Sequence, residues 1–214
     1  MSKEGLIYWI NVAYELGKWA FGILLVGTLI HYFVATVFVI SGPSMETSFH
    51  SGQIVVVSRI GLFTNKYSRG DAMVIKFPGD PEKKKYIKRL IGLPGEKLEI
   101  KSNKVYINDQ ELAETYIKFV GEEFLPPYEY EEPEWNTEAE QLHKKGLALI
   151  KPDMVNKLGS DSYFLMGDNR ENSNDSRKWY AAAKSDMIGP VRFILWPLKD
   201  WGPVVNPYYE ISAK

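Results

Sequence analysis

With 214 residues, 45% of them hydrophobic, the chain can bury a sizeable core in one main domain with room for a subsidiary one, which excludes the disordered class. Its 26 basic and 27 acidic side chains leave a formal net charge of -1, so no global field argues for nucleic acid as a partner. The absence of cysteine removes disulfides, thiolate chemistry and cysteine-bound zinc together.

In chain order, the first feature is the run Trp19 to Ile40, which contains no Asp, Glu, Lys or Arg. A bilayer core of about 30 Å takes roughly 20 helical residues, so the run is long enough to span. It is also too long for the apolar region of a cleaved signal peptide, and a serine-bearing motif follows it directly. Its second half, His31 to Ile40, is rich in β-branched and aromatic residues and is then broken by Ser41-Gly42-Pro43, which reads as a strand. The expected anchor is therefore a helix over 13–32, preceded by a cytoplasmic or interfacial segment over 1–12. Lys3 and Lys18 before it and Arg59, Lys66 and Arg69 after it barely choose an orientation.

Beyond the anchor, Gln53 to Arg59 reads as a buried strand ended by Gly61, and Ala72 to Phe77 as another stopped by Pro78-Gly79-Asp80-Pro81. The lysine run Lys83 to Lys85 reads as a solvated loop. Lys85 to Ile91 is a third strand, with Tyr86, Lys88 and Leu90 on one face and Ile87, Arg89 and Ile91 on the other. Glu96 to Ile107 alternates around Ser102-Asn103 as a hairpin. Between 108 and 160 the character changes, with Pro126-Pro127, an acidic and aromatic stretch from Glu122 to Trp135, and a short helix expected near Thr137 to Lys145. This reads as an inserted subdomain, exposed and poor in chemistry. Tyr163 to Met166 and Val191 to Trp196 supply the closing strands. The expected fold is mainly β: a barrel-like antiparallel domain over 33–107 and 161–214, a small inserted region over 108–160, and an N-terminal transmembrane helix.

Chemistry concentrates in three strings: Ser41-Gly42-Pro43-Ser44-Met45, the stretch from Tyr86 through Lys88 and Arg89 to Gly95, and Gly167-Asp168-Asn169-Arg170-Glu171-Asn172-Ser173-Asn174-Asp175-Ser176-Arg177. A serine hydroxyl is a poor nucleophile until a base takes its proton. A strand ending in Gly-Pro delivers Ser44 at a sharp turn facing a cleft. Of the three histidines, His31 lies in the apolar run, His50 in the loop after Ser44 and His143 in the insertion, and none carries the signature of a Ser-His-Asp triad. Lys88 is the stronger base. At a reference pKa of about 10.4 only about one lysine in 250 is neutral at pH 8, but burial lowers the value by about 3 to 5 units. Tyr86, Ile87, Leu90 and Ile91 would supply the walls that exclude water. Asn169 and Asn172 read as turn residues.

These strings resemble the boxes of the bacterial type I signal peptidases, or leader peptidases, and the resemblance runs from about Lys18 to Pro197. It implies a membrane-anchored serine endopeptidase that removes signal peptides from secretory preproteins through an acyl-enzyme, with Ser44 as nucleophile and Lys88 as general base. By the same resemblance Ser173 holds the lysine amine, Asp168, Asp175, Arg170 and Arg177 fix the third loop, and Arg89 pairs with one of those acids. Pockets for the first and third residues before the cut map onto Phe38, Ile40, Gly42, Met45, Phe49, Tyr86 and Ile87, and admit alanine or glycine. Where some relatives have a serine that aids the oxyanion, this chain has Gly42. The resemblance also implies no cofactor and no metal, a monomer whose partners are preproteins and the lipid bilayer, and a single-pass protein of the bacterial inner or plasma membrane with its catalytic domain on the extracytoplasmic side. Three departures from the family pattern stand out: Thr47-Ser48 for Pro-Thr, Gln53 for Asp and Glu96 for Asp, and Thr47 removes a rigid φ. Two alternatives stand beside this reading: a Ser-Lys peptidase dedicated to one substrate, and a non-catalytic membrane-anchored binding module on the same fold. Retention of Ser44, Lys88 and Ser173 together argues against the second.

Overall fold

The computed structural model describes residues 3–64, 66–78, 82, 84–101, 104–117, 156–177, 179, 181–207 and 209. The chain begins in α1 (Lys3–Leu29), which passes through a π-helical turn, Ile30–Val34, into the first strand. The helix starts well before the expected residue 13, so residues 3–12 are continuous with it. Leu6, Ile7, Tyr8, Trp9 and Ile10 carry its apolar character towards the N-terminus, and no proline interrupts them. No residue of α1 is buried. At 1.5 Å per residue it is about 40 Å long, and by length and composition it can cross a membrane.

The strands that follow are β1 (Ala35–Val39), β2 (Ile54–Ser58), β3 (Ala72–Lys76), β4 (Lys85–Gly92), β5 (Lys97–Lys101), β6 (Lys104–Ile107), β7 (Gln110–Glu111), β8 (Asn156–Lys157), β9 (Ser162–Met166), β10 (Ala182–Ala183), β11 (Met187–Trp196) and β12 (Gly202–Pro203). A short helix, α2 (Ile60–Thr64), follows β2. The strands expected at 53–59, 72–77, 85–91 and 163–166 form within a residue of those bounds. The strand expected over 31–40 is confined to Ala35–Val39, because the helix end takes its first half. The last long strand begins at Met187 instead of Val191. Gly189-Pro190, which looks like a break, sits at a register shift between β11 and β3. A Cβ on Gly189 would stand 3.0 Å from the Ser58 carbonyl carbon and closer still to its oxygen, so only glycine lets β11 approach β2 there.

Among the described residues the main sheet runs β1-β2-β11-β3-β4-β9-β10, with β12 on β11, and all its pairings are antiparallel. It curls as a half-barrel, in keeping with the expected β class. A second sheet, β7-β6-β5-β8, is built on the expected hairpin, with Lys101 opposite Lys104. Asn108 (φ 49°) and Asp109 (φ 68°) then make the two-residue left-handed turn into β7, a conformation these two residue types enter more easily than most. Leu98, Val105 and Ile107 of this sheet pack against Ile91 and Phe164 of the main one. A second cluster, with Ile40, Met45, Phe49, Val55, Val74 and Ile87, lies under the end of β1. The Pro126-Pro127 pair, the acidic stretch and the helix expected near 137–145 lie outside the described residues.

Candidate active site

Ser44 occupies the loop between β1 and β2. The loop is closed at its base by Ile40 N–H donating to the Gln53 carbonyl and Gly52 N–H donating to the Ile40 carbonyl, both at 2.8 Å. Gly42, at φ 92°, supplies the left-handed turn. Pro43 O then accepts from Glu46 N–H at 3.0 Å and Met45 O accepts from Phe49 N–H at 2.8 Å, forming a helical turn that begins at the serine. Met45 and Phe49, four residues apart, bury the same face of that turn in the core. They are the anchors that aim Ser44 outward.

Lys88 lies in the middle of β4, opposite Met73 of β3. Its Nζ is 2.6 Å from Ser44 Oγ and 5.3 Å from the centre of the Tyr86 ring, and the residue is 3% exposed. Burial lowers its pKa to about 8, against the opposing pull of Asp175, with Arg177 helping to lower it and Asp168 opposing. A cavity of about 200 Å³ opens on this pair, lined by Ser41, Gly42, Tyr86, Ile87, Asn172 and Asn174 as well. A second, of about 80 Å³, shares Ser41, Tyr86 and Ile87 with it and reaches to Phe38, Ile40, Val74 and Lys85. Met45 and Phe49 line neither of these two cavities; they back the wall from the core.

The third loop surrounds the pair with ion pairs. Asp168, fully buried, accepts Arg89 Nε at 2.7 Å and Nη2 at 2.5 Å, and Arg89 also reaches the Gly70 carbonyl at 2.8 Å and Ser48 Oγ at 3.0 Å. Burial would raise the Asp175 carboxyl, but two 2.8 Å bonds from Arg177 and one from Gly167 N–H at 2.9 Å hold it below its ordinary value. Asn169 does more than turn the chain: its N–H donates to the Ser44 carbonyl at 3.1 Å and its side-chain Nδ2 to the Pro43 carbonyl at 3.2 Å. Gly167 must be glycine, because a Cβ there would stand 2.5 Å from both the Ser44 carbonyl oxygen and Ser173 Cβ. The Ser173 hydroxyl is buried beside Asp175, whose charged form it favours, but it meets hydrogen-bond geometry with neither Asp175 nor Lys88. His50 points to Glu46 on the surface, at 2.7 Å.

The structure accounts for the three departures. Thr47 sits at φ 105°, a value proline cannot reach and a β-branched residue adopts only with strain of about 1–3 kcal/mol. Gln53 accepts His50 N–H at 3.0 Å and donates Nε2 to Asp200 at 2.8 Å, where an aspartate would face a like charge. Glu96 is long enough to take Arg69 at both oxygens and Leu93 N–H at 2.7 Å. Sequence reasoning missed Glu114 and Tyr116. Glu114 forms a buried bidentate pair with Arg170, and the Tyr116 ring lies 4.5 Å from the Arg89 guanidinium. They belong to the segment expected to be poor in chemistry, and no local pattern marks them.

A family model described as "Signal peptidase, peptidase S26" matches residues 13–196. The chain is similar to a signal peptidase I of Bacillus amyloliquefaciens, 30% identical over 89% of each chain. It is similar also to signal peptidase I T of Bacillus subtilis, 31% identical over 89% of each. Signal peptidase IB of Staphylococcus aureus is 29% identical over 97% of each.

A lysine whose pKa falls from 10.5 to about 8 on folding opposes the folded state by an amount on the order of 3 kcal/mol at neutral pH. The unfolded chain binds more protons between about pH 8 and 10.5, so this cost is complete below pH 8 and disappears as pH rises through that window. Lys88→Met should therefore be more stable than the parent chain at pH 7, with the difference closing towards pH 10.5. Denaturant melts across that range are the check, and a variant less stable at every pH would contradict the origin assigned to the shift.

Proposed function

The chain belongs to the signal peptidase family, peptidase S26, and on that premise we propose that Ser44 is its nucleophile, Lys88 its general base and α1 its membrane anchor. It is a serine endopeptidase that removes signal peptides from secretory preproteins. The observation that carries the assignment of the pair is the 2.6 Å approach of Lys88 Nζ to Ser44 Oγ inside a water-excluding wall. With a pKa of about 8, about half of these amines are neutral at pH 8.

The neutral amine accepts the Ser44 proton as Oγ bonds to the scissile carbonyl carbon. It returns that proton to the departing amine as the C–N bond breaks, which leaves an acyl-enzyme. A water molecule, deprotonated by the same amine, then attacks the ester and frees both the new C-terminus and the serine. Gly42 has no hydroxyl, so the oxyanion takes backbone N–H donors, that of Ser44 among them. By the family resemblance, the Ser173 hydroxyl, which is buried without a hydrogen bond of its own, holds the lysine amine as it gains charge.

An extended peptide directs its first and third side chains before the cut to the same face. The cavity at Ser44 takes the scissile bond and the small residue preceding it, and the narrower cavity at Phe38 and Ile40 takes the third, so Ala-X-Ala-like ends fit. The anchor places this site at a bilayer surface, with the catalytic domain, a monomer, on the extracytoplasmic side of a bacterial plasma membrane. The exposed Trp196, Leu198 and Trp201 offer that surface apolar contact.

Ser44→Ala and Lys88→Ala should each abolish processing of a preprotein in detergent, and the double variant should be scarcely worse than either, because residues of one catalytic unit are strongly non-additive. Independent, multiplying losses would remove the pairing. On substrates, leucine in place of alanine immediately before the cut should reduce kcat/KM by roughly tenfold to a hundredfold, the consequence of crowding a larger side chain against Tyr86 and Ile87 beside Ser44. Equal turnover of the two peptides would exclude the pocket assignment.

A further inference from the structure

Glu114 and Tyr116 meet the loops that hold Ser44 from two sides. Arg170 takes the Glu114 carboxylate with both terminal nitrogens, Nη1 standing 2.8 Å from Oε2, and the two side chains are only 3% and 4% exposed. The same guanidinium donates from Nε to the Gly167 carbonyl at 3.2 Å. Gly167 lies against the backbone of Ser44, and Asn169 N–H donates to the Ser44 carbonyl. At the far end of the nucleophile turn, Thr47 Oγ1 donates to the Tyr116 carbonyl at 3.0 Å, from a left-handed backbone at φ 105°. Burial pushes the Tyr116 phenol far up, so it stays protonated and donates to Glu114 Oε1 at 2.8 Å. Both ends of the Ser44 turn are thus tied to the same three residues, 114–116.

We propose that Glu114–Tyr116 is a positioning element for the Ser44–Lys88 pair, with Glu114 acting through Arg170 and the third loop, and Tyr116 through the Thr47 hydroxyl. The inference rests on the reading of Ser44 as nucleophile and Lys88 as base. A left-handed threonine is retained only while its surroundings hold it. Without the hydroxyl latch the backbone relaxes and the turn carrying Ser44 moves. A misplacement of about 1 Å costs a reaction of this kind about a hundredfold in rate, so the latch reads out in turnover even where stability scarcely changes.

The test is the full chain in detergent with a soluble signal-peptide substrate, measuring kcat, KM, melting temperature and pH profile. The variants are Thr47→Val, Thr47→Ser, and the double substitution Glu114→Leu with Arg170→Met, with Ser44→Ala as reference. The double substitution replaces a buried ion pair by apolar side chains, an exchange proteins commonly accept without loss of stability, and leaves neither charge buried alone. Thr47→Val should lose about tenfold to a hundredfold in kcat with KM, melting temperature and the rising pH limb unchanged, while Thr47→Ser keeps the parent kcat. The double variant, which also leaves the Tyr116 hydroxyl and the Gly167 carbonyl without their partners, should lose as much in kcat, with KM and the rising pH limb unchanged, at temperatures well below its own melting point. A parent-like kcat in both, or a loss that tracks unfolding, overturns the inference. Activity surviving in Ser44→Ala would instead sink the nucleophile assignment itself; an inactive Ser44→Ala beside a fully active Thr47→Val removes the latch alone.

Discussion

Keeping the Lys88 ammonium out of water is the condition on which the rest of the site depends. Charged groups are expensive to bury, and a lysine in the middle of a sheet answers with a lowered pKa, here about 8. That response requires that no nearby carboxylate be free to hold the proton in place. Asp168 and Asp175 both lie close enough to favour the charged amine, yet each is bound by an arginine of its own, Arg89 for the first and Arg177 for the second. The two ion pairs spend the acids on each other's behalf, and desolvation decides the outcome. A shape-filling role for these charges and a role in tuning the base are therefore one role.

The same constraint explains why the loop that carries Ser44 is so heavily tied. A helical turn of a few residues has no stability of its own. Here it is held by the burial of Met45 and Phe49 from below and by Asn169, Thr47 and Ser48 from the sides. Removing one partner from a buried pair such as Arg89–Asp168 typically costs about 3–5 kcal/mol, because the other charge is left buried and unpaired, so the pairs beside the loop persist only as pairs.

Much of this was legible in the sequence because the signals are local. Apolar runs of β-branched, aromatic and long aliphatic residues marked β2, β3, β4 and β9 to within a residue. Ser44 and Lys88 stood out by the strings around them, and the resemblance implied that Arg89 pairs with one of the third-loop acids; which one, Asp168, only the fold shows. The start of α1 was misplaced because the helix was given only the roughly 20 residues that a bilayer requires, ending at Tyr32, whereas it runs on to Lys3. β11 was begun late because Gly189-Pro190 imitates a strand end, whereas both residues pair with β3 directly after a register shift that follows Met187. Glu114 could not be read at all: its partner Arg170 lies 56 residues away, and neither position has a periodicity that marks it. Two-residue strands such as β7, β8 and β10 have no pattern of their own and exist only because longer neighbours pair with them.

The account turns on the protonation state of one amine, and that is directly measurable. Heteronuclear NMR of side-chain amines in the full chain in detergent micelles, with Lys88→Met used to assign the Lys88 Nζ signal, gives its titration curve. The account predicts a midpoint at about 8, well separated from the other lysines. A Lys88 midpoint near 10.5, the ordinary value for a lysine, would contradict it.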